Sequence, residues 1–344
     1  LAALDPADML SAVASAGEQV RAGLDAVADL ELGRRPRALI VAGMGGSAAA
    51  GDVLVALAGP GCPVPVLVHR GPELPGWVGP DDLVVGISCS GRTEETLSAV
   101  GTAVKRGCRV VTIGAPGSLL EAANARSPHL AVDAGGRQPR ASLWSLATPL
   151  LLVGDALGLT PGARGRLAAA ATVLDGVAAV SGPAIPTRSN RAKELAEHLA
   201  GGLPVLWGPL GIGATVANRF SSQIAENAKL PSVSGALSEA HHNQIVAFDG
   251  PAADDHGLRL VVIADADEPA SSEARVEQSQ IAAQEAGVPV VVLRGTGADP
   301  LARLAGLVAL ADFASVYLAL MHGIDPTPVT AIESLKVRMA GGAA

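Results

Sequence analysis

The unbroken apolar run Ala38-Leu39-Ile40-Val41-Ala42 stops at Gly43-Met44-Gly45-Gly46-Ser47, and helix formers occupy residues 48–57 that follow. That succession reads as a buried strand, a tight glycine turn and a helix start, the unit from which layered α/β sheets are built. With side chains absent at Gly43, Gly45 and Gly46, backbone N–H groups can approach a ligand closely, and Ser47 adds a hydroxyl. The positive end of the following helix faces the same spot, so the turn suits an anion. Taken alone, it equally suits a sheet turn that binds nothing. It is not Gly-x-Gly-x-x-Gly, because residue 48 is Ala, and the chain has no Gly-Lys-Ser/Thr phosphate loop.

A second loop follows the same grammar. Leu83-Val84-Val85-Gly86-Ile87 delivers Ser88-Cys89-Ser90-Gly91-Arg92-Thr93-Glu94-Glu95-Thr96 ahead of another helical stretch. The hydroxyls of Ser88, Ser90 and Thr93 gather where the strand ends, a donor set suited to a phosphate monoester, with Arg92 as a further charge. The competing reading is a capping box, in which Thr93, Thr96 and the neighbouring Glu94 and Glu95 only stabilise the helix start.

The alternation continues along the chain. Strands are expected at 38–42, 65–68, 83–87, 109–113, 129–132, 203–207, 258–263 and 289–293, with helices near 47–58, 93–106, 118–125, 188–200, 214–228, 270–286 and 302–322. Residues 140–180 read as mostly helical, punctuated by Pro149 and Pro161, and Ser181-Gly182-Pro183-Ala184-Ile185-Pro186 breaks the chain near its middle. The strand-then-glycine theme recurs at residues 203–213. The expected fold class is α/β: two similar halves, each a parallel sheet flanked by helices, doubly wound and three-layered, with ligands at the strands' C-terminal edges. The expected divisions are an N-terminal helix at 1–35, a first domain at 36–155, a helical linker at 156–190 and a second domain at 191–344. A chain of 344 residues, 49% hydrophobic but only 2% aromatic, can bury two such cores.

Charge and cysteine usage narrow the function classes. A net charge of −8 without a Lys/Arg cluster opposes a nucleic-acid surface, and no basic helix-turn-helix precedes residue 36. Cys62, Cys89 and Cys108 form no Cys-x-x-Cys, so neither a disulfide framework nor a zinc site is expected, and a cytoplasmic location is. The early acids Asp5, Asp8, Glu18, Asp25 and Asp29 oppose a signal peptide. Apolar runs interrupted by Gly or Pro predict no membrane span.

Residues able to move protons lie in the second half. Glu226 stands in Gln223-Ile224-Ala225-Glu226-Asn227-Ala228-Lys229, ahead of Pro231, where a carboxylate is ordinarily a solvated helix residue. Ser238-Glu239-Ala240-His241-His242-Asn243-Gln244 carries adjacent histidines whose side chains diverge, a poor metal clamp but a source of one proton donor or acceptor. Arg140 and Lys336 are lone cations that spacing alone does not single out.

In this order the segments resemble the bifunctional phosphoglucose/phosphomannose isomerase family, built from two SIS-type domains, over nearly the whole chain. The resemblance rests on Gly-Met-Gly-Gly-Ser at 43–47, Ser-x-Ser-Gly-x-Thr-x-Glu-Thr at 88–96, Pro-Arg-x-Ser-Leu at 139–143, Glu-Asn-x-Lys at 226–229, His-Asn at 242–243 and the stretch from Asp312 to Lys336. It implies an aldose–ketose isomerase that interconverts fructose 6-phosphate with glucose 6-phosphate, mannose 6-phosphate or both through a cis-enediol, without metal or other cofactor. It implies phosphate binding by Gly45, Gly46, Ser47, Ser88, Ser90 and Thr93. Glu226 would be the base, His242 the ring-opening residue, Arg140 the charge facing the enediolate and Lys336 a contact to substrate oxygens. Thr327 would line the space for rotation about C2–C3. The resemblance further implies a homodimer with His242 shared between subunits, and no nucleic-acid or membrane partner. The chain departs from the pattern at Arg92, where Asn is usual, at Cys89, where Tyr is common, and around His242, where Gln244 replaces a Glu. The alternative is a catalytically weak or inactive SIS-fold protein that binds sugar phosphate in a regulatory role, favoured by Arg92 and Gln244 and opposed by Glu226 and His242.

Overall fold

A computed structural model describes residues 3–28, 30–124, 127–254 and 257–341. Among the described residues the strands are β1 (Leu39–Ala42), β2 (Val66–His69), β3 (Leu83–Ser88), β4 (Arg109–Gly114), β5 (His129–Ala131), β6 (Leu203–Gly208), β7 (Val233–Ala236), β8 (Leu258–Ala264) and β9 (Val290–Arg294). The helices of the first half are α1 (Met9–Ala14), α2 (Ala16–Ala26), α3 (Gly46–Ala58), α4 (Glu94–Lys105), α5 (Leu119–Ala123) and α6 (Leu143–Ala156). Then come α7 (Ala163–Ser181), α8 (Arg191–Ala200), α9 (Ile212–Gln223), α10 (Leu237–Ala240), α11 (Pro251–Asp254), α12 (Ala270–Glu285), α13 (Pro300–Met321) and α14 (Thr330–Gly341).

Two all-parallel sheets result, in the orders β2-β1-β3-β4-β5 and β7-β6-β8-β9. In each, the chain starts near the middle, adds one strand to one side and then crosses to the other, as doubly wound sheets do. The strand order therefore reverses between β1 and β3, where Ala42 is in register with Gly86. Ligand crevices open at such reversals. The Gly43 turn and the Ser88 loop leave the C-terminal ends of these two strands, side by side.

The two halves share one core. Buried side chains of α6, α7, α8, α9 and α13 join those of β1, β3 and β4 in a single apolar cluster. α13 is long and apolar enough to cross a membrane, with mean hydropathy 2.0 over 18 residues, yet 83% of that stretch is buried inside the fold, against α7, α8 and α9. The interrupted-run expectation overlooked it, because Gly306 does not break a helix whose every face is packed.

Other expectations need local correction. The N-terminal helix is two helices that part at Ser15, and the expected helix at 118–125 is the shorter Leu119–Ala123, its residue 125 lying outside the described residues. Pro149 punctuates nothing: α6 continues through it, held by burial of nearly every one of its side chains. The segment read as a linker contains α7, whose Leu167, Ala170, Ala171 and Leu174 are buried against α2 and α13. Strand β7 and helix α14 were not anticipated.

Candidate active site

Gly45 caps α3 at φ 51°, in the left-handed region, and Gly211 caps α9 at φ 98° with a closely similar ψ. The halves thus launch alike the helix that follows the first strand of each sheet. At Gly46, however, the missing side chain serves the protein as well as a ligand: a Cβ there would stand 2.9 Å from the Pro139 carbonyl oxygen. That close approach presses the turn Pro139–Ala141 onto the start of α3 and delivers Arg140 to the crevice.

Arg140 is 3% exposed and almost fully engaged. Its Nε donates to Asn227 Oδ1 at 2.7 Å, and Nη2 donates to the carbonyls of Pro326 at 2.8 Å and Thr327 at 2.7 Å. Its Nη1 lies 3.7 Å from Glu226 Oε2. Burial pushes the guanidinium pKa down, while Glu226 and Asp325 pull it back, and a guanidinium stays charged under any such balance.

Glu226 does not sit on a plain solvated helix. α9 widens into a π-helical turn at Ile224–Ala228, which ends at Lys229 in the left-handed conformation, φ 58°. A π-turn rotates the side chains that follow it off the helix's regular positions, and such turns are frequent at functional sites. Lys229 Nζ secures the turn by donating to the carbonyls of Glu226, Asn227 and Pro326 at 2.8, 3.1 and 2.9 Å. The carboxylate that results is 30% exposed and faces a cavity of about 420 Å³, lined also by Gly45, Gly46, Arg140, Arg219 and Arg70. Around its rim Arg70 Nη2 meets Asp52 Oδ2 at 2.5 Å, and Ser234 Oγ donates to Asn218 Oδ1.

The hydroxyl loop is adjacent, on the neighbouring strand, but does not line this cavity. Ser88 is buried and its Oγ lies 2.9 Å from Thr93 Oγ1. Thr93 stands at the N-cap of α4 without a capping bond from its side chain, so the capping-box reading is not realised: the hydroxyl turns to Ser88 instead. Ser47 is buried, whereas Ser90 and Arg92 are exposed. The backbone N–H of Arg92 donates to Ser90 Oγ at 3.3 Å.

Three more expected site residues lie apart from the Arg140–Glu226 cavity. His242 is exposed, Lys336 is exposed on α14, and Thr327 turns its carbonyl to Arg140 while its hydroxyl is buried without a partner. His241 is tied down instead, with Nε2 2.7 Å from Ser279 Oγ, and Gln244 accepts from Trp207 Nε1 at 2.6 Å. Among the described residues no group of three His, Cys, Asp or Glu side chains is placed to hold a metal ion. Cys62, Cys89 and Cys108 are all free thiols.

Arg219 was missed. It is 7% exposed, lines the cavity and precedes Gln223 and Glu226 by four and seven residues. That helical spacing was the available signal.

Residues 188–339 match the family model of the bacterial phospho-glucose isomerase C-terminal SIS domain. The backbone resembles the C-terminal domain of glucosamine-fructose-6-phosphate aminotransferase from Francisella tularensis, with TM-score 0.69 and 16% identity over 93% of this chain and 97% of that one. The chain is 32% identical to a bifunctional phosphoglucose/phosphomannose isomerase of Aquifex aeolicus over 79% of its length and 80% of the relative's. A protein of that name from Caldicellulosiruptor bescii is 32% identical over 302 residues, 88% of this chain and 89% of the relative. By that extent of identity, the chain belongs to the bifunctional phosphoglucose/phosphomannose isomerase family.

Proposed function

We propose that the protein interconverts fructose 6-phosphate with glucose 6-phosphate, mannose 6-phosphate or both by proton transfer between C1 and C2 of the open-chain sugar. The observation that carries this reading is the Glu226 carboxylate, partly solvated in a cavity and 3.7 Å from the buried Arg140 guanidinium. An aldose–ketose shift needs a base to move one proton and a fixed positive charge beside the oxygen that becomes negative. Glu226 takes the proton from C2 of the aldose or C1 of the ketose and returns it to the other carbon of the cis-enediolate, while the hydroxyl proton passes between O1 and O2 of the same intermediate. Arg140, its remaining nitrogens committed to the protein, presents Nη1 to the enediolate oxygen without reorganising.

The phosphate is held at the sheet's reversal point, by Gly45, Gly46 and Ser47 at the start of α3 and by Ser88, Ser90 and Thr93 at the end of β3. Neighbouring strands and a helix N-terminus support that placement. His242 opens the sugar ring and Lys336 contacts substrate oxygens. Both are exposed and outside the Glu226 cavity, which supports a homodimer in which His242 is supplied by the partner subunit. With Glu226 as the base and Arg140 as the fixed charge, the proposed route is metal-independent.

The test is fructose 6-phosphate with excess chelator in deuterated water, followed by NMR. Deuterium at C2 of the aldose product is the expected outcome. Lack of turnover, with fructose 6-phosphate still raising the melting temperature, sinks the isomerase reading in favour of a regulatory sugar-phosphate binder.

A further inference from the structure

α13 is apolar through its central turns except at Asp312 and Ser315, which lie about one turn apart and are both buried. The Asp312 carboxylate receives Arg219 Nε at 3.0 Å on Oδ1 and Arg219 Nη2 at 2.6 Å on Oδ2, and Gln223 Nε2 donates to Oδ1 at 3.0 Å. Arg219 Nη2 also donates to the carbonyl of Arg140 at 3.0 Å. Ser315 Oγ accepts from Asn227 Nδ2 at 2.9 Å, and Asn227 Oδ1 is the acceptor for Arg140 Nε. Arg140 is therefore tied to the same turn of α13 twice, through its backbone and through its side chain.

Stability does not account for this arrangement. Withdrawing both charges from water costs about what their attraction returns, and well-packed apolar side chains of similar volume commonly serve a core as well or better. Between Arg303, itself paired with Asp265, and Tyr317, α13 is otherwise packed in that apolar way. What an ion pair adds is direction, since two fork-shaped hydrogen bonds fix the guanidinium in plane and leave Nη2 aimed at one carbonyl.

We propose that the Asp312–Arg219 pair is a positioning device that sets Arg140 at its contact with Glu226, and that it is needed for turnover more than for folding. The inference rests on Arg140 facing the developing enediolate. A displacement of about 1 Å at such a group costs on the order of 10²-fold in rate.

The experiment compares the full-length chain with its Arg219→Met/Asp312→Leu double variant. The double variant is expected to stay folded with a modestly lower denaturation midpoint, because the Arg140 carbonyl and the Gln223 amide lose partners, and to keep its KM for fructose 6-phosphate, while kcat falls on the order of 10²-fold. In spectra of protein labelled with ¹⁵N-arginine, the Arg140 Nε–H signal, assigned by its loss in Arg140→Lys, exchanges slowly in the parent and fast in the double variant. Parent kcat together with an unchanged Nε–H signal overturns the proposal. Should the double variant not fold, Asp312→Asn is judged by the same two measures. If the parent itself does not turn over fructose 6-phosphate, the functional reading fails, and the arginine signal alone decides the positioning.

Discussion

Glu226 Oε2 and Arg140 Nη1 are 3.7 Å apart, close enough for charge attraction and too far for a hydrogen bond. The carboxylate is thus left with lone pairs free to take a proton, whereas Arg140 spends its other donors on Asn227, Pro326 and Thr327. One member of the pair is free to react and the other is locked.

Glu226→Gln follows from that asymmetry. The amide keeps the shape of the carboxylate but cannot accept the proton, so turnover falls by about 10²–10⁴-fold. Substrate still fits. Thermal shift with fructose 6-phosphate is expected to survive while deuterium exchange disappears, and preserved exchange would remove Glu226 from the base role.

Arg140→Met is expected to damage fold and rate together. Pro326 O keeps Lys229 as a donor, but Asn227 Oδ1 and the Thr327 carbonyl each lose theirs. A buried acceptor left dry costs about 1–3 kcal/mol. Thermal denaturation measures that loss directly. Arg140→Lys restores a charge but not the forked donors, so it recovers activity only in part.

For the hydroxyl loop, Ser88→Ala and Thr93→Val separate binding from catalysis. Each deletes one member of the 2.9 Å hydroxyl pair beside the sheet's reversal point. A hydrogen bond to a charged group contributes about 1.5–3 kcal/mol, hence KM for the phosphorylated sugar rises by about 10- to 100-fold with kcat little changed. An unchanged KM in both variants would place the phosphate elsewhere.

What could be read from residues alone follows how local each signal is. The strands at 38–42, 83–87 and 203–207 announce themselves because both sheet faces are covered and every position is apolar. β7 does not, since Val233-Ser234-Gly235-Ala236 is a short edge strand with mixed composition. Glu226 and Arg140 were reached through resemblance to a family. Their partners Arg219 and Asp312 were not, because the pair is 93 residues apart in sequence and only the packing of α9 on α13 brings it together. His242 and Lys336 remain outside the cavity of the single chain, which their sequence motifs could not reveal.

Two half-buried histidines set how stability responds to acid. His198 Nε2 lies 3.1 Å from the Leu260 carbonyl, and burial, with help from Arg259, holds its pKa below the usual value despite that bond. His241 is likewise lowered, first by burial and then by Arg275 and His242. Its tautomer follows from its neighbours: Ser279 Oγ donates to the Arg275 carbonyl and so accepts from Nε2–H, while Arg275 Nη1 donates to Nδ1. Both rings are therefore neutral when folded at pH values where free histidine, with pKa about 6.5, begins to take a proton. In that window the unfolded chain binds more protons than the folded one, so stability is complete above about pH 6.5 and declines as the pH falls towards the lowered folded values. Glu268, whose burial raises its carboxyl pKa, works in the opposite sense and at lower pH. Urea midpoints taken from about pH 8 to pH 5 should fall across the histidine window. His198→Gln and His241→Gln should each flatten that fall, and a slope unchanged in both variants would show that neither ring is its source.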